Sequence, residues 1–308
     1  MITVKIMLDF SIDLLRTFLA VQKHKSITVA AEQLRKTQTG VSAQIALLEE
    51  KAKMKLLDRS RRPYQLTEAG HYFLDFAETM VNRTDGLDST LKELTNGSAG
   101  EIKIGASTSI ATYVLPPIVI SILKEHPNLN FIVMTQPPRV IAEAVRQCEL
   151  DFGVVLTHEA PQGLNAKVLR VERLCFIRSS SHALGQPKLV APKDIRHIPF
   201  VMGLKNSEYA GMINGMLRAV GVHETSVVFR INSFEAMKEF VRSGMGVTIV
   251  PEYAVKHEIS AHIFSEVKIK NAKPTFKIMM IERPRVHSSP SVKLAKHIIE
   301  QRIMRVDQ

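Results

Sequence analysis

Cysteine is scarce in this sequence, and long apolar runs are missing. The two cysteines, Cys148 and Cys175, form no Cys-x-x-Cys pair and are too few for a disulfide framework, which fits a reducing compartment. No run of about 18 or more apolar residues occurs, so no membrane span is expected. The segment from Met1 to Leu8 lacks the basic and apolar regions of a signal peptide. We therefore expect a cytoplasmic protein without a membrane partner.

The motifs of common catalytic sites are missing as well. The eleven histidines include no His-Glu-x-x-His pair, and no glycine-rich loop has the form that binds a nucleotide. Ser107 stands outside a Gly-x-Ser-x-Gly elbow, so no activated nucleophile is visible. We expect a protein that is not an enzyme and that has no catalytic residues, no metal and no cofactor.

The sequence does have length and positive charge. Its 308 residues predict two or three domains, because one domain usually takes about 100–200 residues. Apolar residues make up 45% and charged residues 23%, which excludes a disordered or fibrous chain. The 41 Lys and Arg outnumber the 30 Asp and Glu. A basic surface attracts either nucleic acid or an anionic membrane, and charge alone does not decide between them.

Three short helices are predicted in the first fifty residues, followed by a small hairpin. Apolar residues recur at helical spacing over residues 11–36, and a third helix is predicted to begin after Thr37. Val41, Ile45 and Leu48 form the buried stripe of this third helix. Residues 56–67 read as two short strands around a basic tip, which is the outline of a wing.

A long amphipathic helix is predicted from Glu68 to Leu94. Its apolar seam recurs with alternating steps of four and three residues, which is heptad spacing. The seam consists of Phe73, Ala77, Met80, Thr84, Leu87, Leu91 and Leu94. This pattern favours a dimerising linker helix over residues 71–95. The alternative is a helix that packs on its own domain.

A different domain is predicted after the hinge at Asn96–Gly100, because strands alternate with helices from there on. The predicted strands are Ile102–Ala106, Asn130–Thr135, Leu150–Leu156, Val168–Ile177, Ile198–Val201, Val227–Ile231, Val247–Val250 and Thr275–Ile281. The helix-like stretches between them include Thr112–Glu125, Val140–Gln147 and Phe234–Arg242. The alternation predicts parallel sheets in two lobes, with crossovers around 157–167 and 262–273. A cleft between two lobes is where a small ligand would bind.

Several short stretches of the N-terminal region are informative as a set. They are Ala30-Ala31 before Leu34, Gln38, Val41-Ser42, Leu47 to Glu49, Leu56-Leu-Asp-Arg59 and Leu66-Thr-Glu-Ala-Gly70. In this order they resemble the DNA-binding domain of the LysR-type transcriptional regulators. The resemblance covers almost all of the first 95 residues.

The resemblance implies a mixed fold. An α-dominated winged helix-turn-helix is expected over residues 1–70, the dimerising linker helix over 71–95, and a two-lobed α/β effector-binding domain like that of periplasmic binding proteins over 96–308. Lobe I is expected at about 100–160 and 270–308, and lobe II at about 161–269. A solute-binding protein would share the two lobes, but the missing signal peptide and the N-terminal helix-turn-helix argue against it.

The resemblance also implies a function and partners. We expect a sequence-specific regulator of transcription whose activity is modulated by a small-molecule effector, a co-inducer, bound in the cleft. The expected partners are double-stranded operator DNA, a small anionic metabolite, and further copies of the chain in a homodimer or homotetramer. RNA polymerase is a further candidate partner.

The residues expected to contact DNA lie on the third helix and on the wing. Thr37, Gln38, Thr39 and Ser42 offer short polar groups to base edges in a major groove. On the wing, Arg61 and Arg62 are expected to reach phosphates or a narrow minor groove. Arg59 is a weaker candidate, because it can pair with Asp58 or another acidic neighbour. The alternative for each is an ordinary solvated surface residue.

The third helix departs from the family pattern. Where the family commonly has Ser-Gln-Pro-Ala-Val-Ser-Arg-Gln, this chain has Thr37-Gln-Thr-Gly-Val-Ser-Ala-Gln44. The alanine at position 43 removes a phosphate contact, and Gly40 costs about 1 kcal/mol of helix propensity. An unusual operator preference is therefore expected.

The residues expected to bind the effector follow the predicted strands. Ser107, Thr108 and Ser109 open a helix, where backbone N–H groups and the helix dipole favour an anion. In the family resembled, the matching loop lines the effector pocket, whereas the alternative is simple helix capping. Gln136, Pro137, Thr157 and Ser233 are expected to face the same crevice from the ends of other strands. Cys148 and Cys175 could form a redox switch, but their apolar neighbours favour core positions.

Overall fold

The computed structural model describes residues 9–61, 63–96, 100–181, 189–195, 197–269, 275–284 and 288–305. The chain divides into two compact units, each with its own core. The N-terminal unit comprises Met1–Ser98 with Arg146–Glu149, and the C-terminal unit comprises Ala99–Val145 with Leu150–Gln308. None of the described helices combines the length and the apolar character that crossing a membrane requires.

The N-terminal unit is a helix-turn-helix with a short β-hairpin and a long final helix. Its elements are α1 (Ile12–His24), α2 (Ile27–Leu34), α3 (Gln38–Ala52), β1 (Leu57–Asp58), β2 (Gln65–Leu66) and α4 (Glu68–Asn96). A hydroxyl caps each of the first three helices, because Ser11, Ser26 and Thr37 each accept a hydrogen bond from a backbone N–H three residues later. β1 and β2 pair antiparallel and form the predicted wing.

The core of this unit takes up the first half of α4. Phe73 of α4 packs edge-on against Phe18 of α1, with ring centroids 5.3 Å apart, and Ala77 is fully buried. The second half of the predicted seam is exposed, with Leu87, Leu91 and Leu94 at 59%, 50% and 63% exposure. The first half of the seam thus packs on its own unit, and the second half forms an exposed apolar stripe.

The C-terminal unit alternates strands and helices. Its strands are β3 (Glu101–Ala106), β4 (Asn130–Thr135), β5 (Phe152–Thr157), β6 (Asn165–Ser179), β7 (Leu189–Val190), β8 (Pro199–Met202), β9 (Ser226–Arg230), β10 (Val247–Pro251), β11 (Phe264–Ile269) and β12 (Thr275–Glu282). Its helices are α5 (Leu115–Glu125), α6 (Pro138–Arg146), α7 (Pro192–Ile195), α8 (Glu208–Ala219), α9 (Phe234–Arg242), α10 (Lys256–Ser260) and α11 (Pro290–Arg305). A π-helical turn, Ile110–Val114, leads into α5.

The strands form two sheets that share one long strand. Lobe I contains β4, β3, β5 and β12 in that order, followed by the first half of β6, with helices α5, α6 and α11. Lobe II contains the second half of β6, paired with β10 and β11, together with β7, β8, β9 and helices α7–α10. Both sheets are covered by helices, so strands such as β5 are buried at every position.

The structure corrects the expectation of parallel sheets. β3, β4 and β5 pair in parallel, but β12 runs antiparallel to both β5 and β6, and β10 runs antiparallel to β6. The chain passes from lobe I to lobe II inside β6, where the partner changes from β12 at Arg173 to β10 at Leu174. An antiparallel strand needs no crossover helix, so strand and helix alternation alone does not reveal it. The second passage, residues 270–274, lies outside the described residues, as do residues 97–99 of the expected hinge.

Candidate functional site

The first candidate site is the exposed face of α3. Gln38 and Thr39 are exposed and Ser42 is half-buried, while the stripe on the opposite face, Val41, Ile45 and Leu48, is fully buried. The N-cap, Thr37, uses its hydroxyl within the helix, because it accepts the N–H of Gly40 at 3.1 Å. The structure therefore presents Gln38, Thr39 and Ser42 together, with Thr37 shaping the start of the helix.

Gly40 fits this cap. A Cβ atom at position 40 would lie 3.0 Å from the Thr37 hydroxyl oxygen, which is tighter than ordinary van der Waals contact. The glycine costs helix propensity but leaves room for the capping hydroxyl. Its presence here is therefore coupled to the threonine at position 37.

A polar network fixes α3 against α1. Gln44 of α3 donates to Asp13 at 2.5 Å and accepts from the fully buried Thr17 hydroxyl at 2.8 Å. Lys36, in the turn before α3, donates to Asp13 at 2.7 Å and to Gln44 at 3.0 Å. The hydrogen bond from Lys36 lowers the pKa of Asp13 against a smaller opposing effect of burial. The network sets the orientation in which α3 presents its polar face.

A buried carboxylate joins the end of α3 to the wing. Glu49 is 3% exposed, and its Oε1 accepts the backbone N–H groups of Leu56 at 3.0 Å and Leu57 at 3.2 Å. Its Oε2 accepts from Lys55 at 2.9 Å and Arg59 at 3.3 Å. Burial raises the pKa of Glu49, but these hydrogen bonds outweigh burial and lower it overall. The wing is thereby attached to α3 by charge-assisted bonds.

The wing arginines differ in their surroundings. Arg59 is engaged with Glu49, in line with its lower ranking as a DNA contact. Arg61 is largely exposed, and its polar contacts within the described residues are with Gln65 at 3.0 Å and Asp58 at 3.4 Å. Arg62 lies outside the described residues. Asp58 shapes the tip, because it accepts the backbone N–H of Ser60 at 3.0 Å.

The second candidate site is a cavity of 690 Å³ between lobe I and lobe II. Of the residues expected to bind an effector, six lie in its wall: Ser107, Thr108, Ser109, Gln136, Pro137 and Ser233. Apolar side chains line it too, among them Val140, Leu204, Phe234, Met237 and Phe276. An apolar cavity with a few convergent polar groups is the usual form of a small-molecule site.

The serines of the wall are partly engaged in the protein's own hydrogen bonds. The Ser107 hydroxyl accepts the N–H of Leu156 at 3.0 Å, and the Ser109 hydroxyl lies 2.8 Å from the hydroxyl of Tyr253 in lobe II. Ser233 caps α9 by accepting the N–H of Ala236 at 3.3 Å. Thr108 is exposed, and its hydroxyl is in no hydrogen bond among the described residues. It is therefore the hydroxyl of this loop that is most available to a ligand.

Thr157 lies behind the wall rather than in it. It is 3% exposed and donates to the Glu208 carboxylate at 2.5 Å and to the carbonyl of Glu159 at 3.0 Å. Glu208 itself lines the cavity. Thr157 therefore reaches the cavity only through the carboxylate that it holds.

Four helical segments begin at the cavity wall. They start after Ser107, at Pro138, at Glu208 and at Phe234. Helix N-termini carry partial positive charge and unsatisfied N–H groups, which favour an anion. Arg139, in the first turn of α6, adds a full positive charge to this wall.

A polar cluster joins the lobes beside the cavity. Tyr113 of lobe I donates to the carboxylate of Glu235 in lobe II. Lys238, only 2% exposed, pairs with Glu235 at 2.9 Å and Glu258 at 2.5 Å, and lies 5.1 Å from the Tyr113 ring centroid. Burial and the hydrogen bond to Glu235 raise the pKa of Tyr113 far above its ordinary value, so its hydroxyl stays protonated.

The cysteines take different positions. Cys175 is fully buried in lobe II, and burial raises the pKa of its thiol to about 12. A thiol that stays protonated is a poor nucleophile, so Cys175 is a core residue. Cys148 is half-buried, and both cysteines are free thiols.

Sequence reasoning missed several residues of both sites. These are Gln44 and Glu49 in the N-terminal unit, and Tyr113, Arg139, Glu208 and Glu235 at the cavity. Glu49 did carry a signal, because it lies four residues after the buried Ile45 and so falls on the buried stripe. The cavity residues come from four different elements and have no shared pattern along the chain.

Comparison with known families agrees with both units. The profile described as "Bacterial regulatory helix-turn-helix protein, lysR family" matches residues 12–71. The profile described as "LysR substrate binding domain" matches residues 95–303, more than half of the chain.

Individual proteins are similar along nearly the whole chain. A protein of Thalassiosira pseudonana named a probable RuBisCO transcriptional regulator is 31% identical over 291 residues, covering 92% of this chain and 94% of that protein. The HTH-type transcriptional regulator CysL of Bacillus subtilis (strain 168) is 28% identical over 272 residues, covering 88% and 91%. The crystal structure of full-length CbnR in complex with its target DNA has the same fold, with a TM-score of 0.70 at 17% identity over 95% of this chain and 100% of that one.

Proposed function

The chain belongs to the LysR family of transcriptional regulators, and from that premise we propose how its residues divide the work of a regulator. It is a DNA-binding regulator with an effector-binding domain, not an enzyme. We propose that α3 and the wing contact the operator and that an effector in the cavity modulates this contact. The observation that carries the proposal is the exposed polar face of α3, held in one orientation by a network of hydrogen bonds.

On the DNA side, Gln38, Thr39 and Ser42 are the base-reading residues. Gln38 suits bidentate recognition of adenine, and the two hydroxyls suit either a donor or an acceptor on a base edge. Thr37 sets the start of the reading helix and brings its backbone near a phosphate. Arg61 and Arg62 supply phosphate or minor-groove contacts from the wing. The cytoplasm is the proposed location, because a regulator must share a compartment with its operator, and RNA polymerase is a further candidate partner.

A selection and gel-shift experiment tests this assignment. The full-length protein selects its operator from a randomised duplex pool, and Gln38→Ala is then titrated against that operator and a scrambled duplex. Loss of one bidentate contact removes about 1–3 kcal/mol of discrimination between bases. Gln22→Ala, on α1 and not on α3, is the matched control and keeps full discrimination. Operator selectivity equal to wild type in Gln38→Ala contradicts the assignment of the reading helix.

The uncovered stripe of α4 supports assembly of further copies of the chain. Leu87, Leu91 and Leu94 are exposed at heptad spacing over two turns. A second copy of the same helix would bury this stripe and place two reading helices on one operator. We therefore propose a homodimer, or a homotetramer built from such dimers.

On the effector side, the cavity is the binding site of a small anionic metabolite. The helix starts after Ser107 and at Pro138, together with Arg139, supply the attraction for an anion. Ser107, Thr108, Ser109, Gln136, Pro137 and Ser233 contact the effector, and Thr157 acts through Glu208. Binding that favours one arrangement of the lobes over another shifts the assembly between two states on DNA.

A further inference from the structure

The two walls of the cavity carry opposite charges. In lobe I the charged residue of the lining is Arg139, and in lobe II the charged residues are Glu208 and Glu235. These three are the residues with a full charge in the described lining. A ligand held between the lobes therefore meets a cation on one side and carboxylates on the other.

Glu235 is already engaged by partners within the protein. It pairs with the buried Lys238 at 2.9 Å and accepts the hydroxyl of Tyr113. These bonds lower its pKa against the opposing effect of burial, which is the largest single influence on it. A lysine that it shares with Glu258 and a tyrosine hydroxyl thus occupy the carboxylate of Glu235, so it is less available to a ligand than that of Glu208.

Arg139 and Glu208 keep their charges available. Within the described part of the chain, neither side chain is in a salt bridge. Glu208 is held at 2.5 Å by the buried hydroxyl of Thr157, a neutral donor. This bond orients the carboxylate without cancelling its charge.

The N-termini of the helices at the cavity add to this charge difference between the two walls. In lobe II, α8 and α9 each carry a carboxylate in their first turn, Glu208 and Glu235, which offsets their positive ends. In lobe I, the helical segment after Ser107 and α6 have no acidic residue in the first turn. The positive potential is therefore concentrated on the lobe I wall and the negative potential on the lobe II wall.

We propose that the effector is a zwitterion, with an acid group on the lobe I wall at Arg139 and an ammonium group on Glu208 of lobe II. The inference rests on the proposed function and narrows its anionic ligand to one that also carries a cation. The apolar side chains between the two ends, such as Val140 and Phe276, suit a neutral or apolar body. Glu208 is then a specificity-determining residue, and Thr157 is the positioning residue that aims it.

The test is a binding panel on the full-length protein. The probes are the free protein amino acids, each beside its N-acetyl derivative, which is only anionic, and its methyl ester, which is only cationic. Dicarboxylic acids of similar size complete the panel. We expect at least one free amino acid to raise the melting temperature by mass action, while its acetylated and esterified forms bind at least tenfold more weakly by calorimetry.

Two isosteric variants assign the ends. Glu208→Gln should weaken the zwitterion by roughly 10- to 100-fold, the value of a hydrogen bond to a charged group, and leave the N-acetyl acid unaffected. Thr157→Val keeps the charge of Glu208 but removes the hydrogen bond that orients its carboxylate. The ratio of the affinities for the zwitterion and for its N-acetyl derivative should therefore decrease but stay above one. Glu224→Gln, at an exposed position outside the cavity lining, is the control and binds as wild type does.

The outcomes separate this inference from the proposed function. Stabilisation by N-acetyl or dicarboxylic acids equal to that by zwitterions, or no stabilisation by any zwitterion, overturns the inference. So does a Glu208→Gln variant that binds the zwitterion like wild type. In each case the cavity can still bind another effector, whereas the proposed function fails only if the wild-type protein selects no duplex sequence.

Discussion

The buried carboxylate of Glu49 gives the sharpest test of how the wing is held. Glu49→Gln keeps the shape of the side chain but removes its charge. The bonds from Lys55 and Arg59 are partly exposed and contribute little, so the effect comes from the buried amides of Leu56 and Leu57.

A hydrogen bond to a charged group contributes about 1.5–3 kcal/mol, and a neutral one about 0.5–1.5 kcal/mol. Losing the charge on two such bonds should therefore cost about 2–3 kcal/mol. The new amide group also points its N–H atoms at two cationic donors, which adds to the cost. Local opening of the wing should become correspondingly more frequent.

Amide hydrogen exchange of the full-length protein measures this opening directly. Peptides that cover residues 55–67 should exchange roughly 30- to 150-fold faster in Glu49→Gln, since each 1.36 kcal/mol is a factor of ten. Glu50→Gln is the matched control, because Glu50 is the adjacent residue of α3 and is exposed. It should change stability by no more than about 0.5 kcal/mol. Wild-type exchange rates over these peptides in Glu49→Gln would refute the reasoning.

Four further outcomes are expected. The pKa of Glu49 lies below its ordinary value of 4.5, so its contribution to stability is complete above that pH and is lost as the pH falls through the lowered pKa; the protection factors of the wing amides, which correct for the intrinsic pH dependence of exchange, should therefore fall below pH 4.5 and stay flat above it. Replacing Leu87 and Leu91 with Lys should yield lower-order species in light scattering, and an unchanged mass contradicts the uncovered stripe as an interface. Arg61→Gln should weaken operator and scrambled duplex alike and reduce the salt slope by about one, whereas a selective loss of operator binding rules out a phosphate contact. Thr108→Val should leave operator binding intact and weaken the response to the effector identified by the panel, and an unchanged half-saturation removes Thr108 from the site.

Helices and strands with a clear apolar periodicity could be predicted from the sequence. The bounds predicted for β4 and α9, Asn130–Thr135 and Phe234–Arg242, are the observed ones. The helix α8 has a weaker local signal, because its two glycines, Gly211 and Gly215, lower helix propensity inside the segment. Packing in the folded protein overrides that weak preference.

The features that the sequence could not predict are contacts between residues far apart along the chain. The antiparallel pairing of β12 with β6 joins segments about a hundred residues apart, and neither segment shows its direction. The role of Thr157 was assigned to the ligand because it follows a strand, whereas its hydroxyl is used by Glu208, fifty-one residues later. Long-range hydrogen bonds of this kind leave no periodic pattern in the sequence. For the same reason the sequence does not reveal that the polar residues Thr17 and Lys238 are buried.

The strand β12 has a consequence for how the protein is made. Lobe I begins at residue 101, but its sheet lacks the strand between β5 and β6 until residues 275–282 have left the ribosome, and its covering helix α11 follows at 290–305. Lobe II is finished earlier along the chain than the lobe that started first. During synthesis the N-terminal unit can complete its core while the ligand-binding domain waits as an open, aggregation-prone intermediate. Truncation or a nonsense mutation between residues 100 and 274 therefore spares the segment that forms the helix-turn-helix and removes the sensor as a whole.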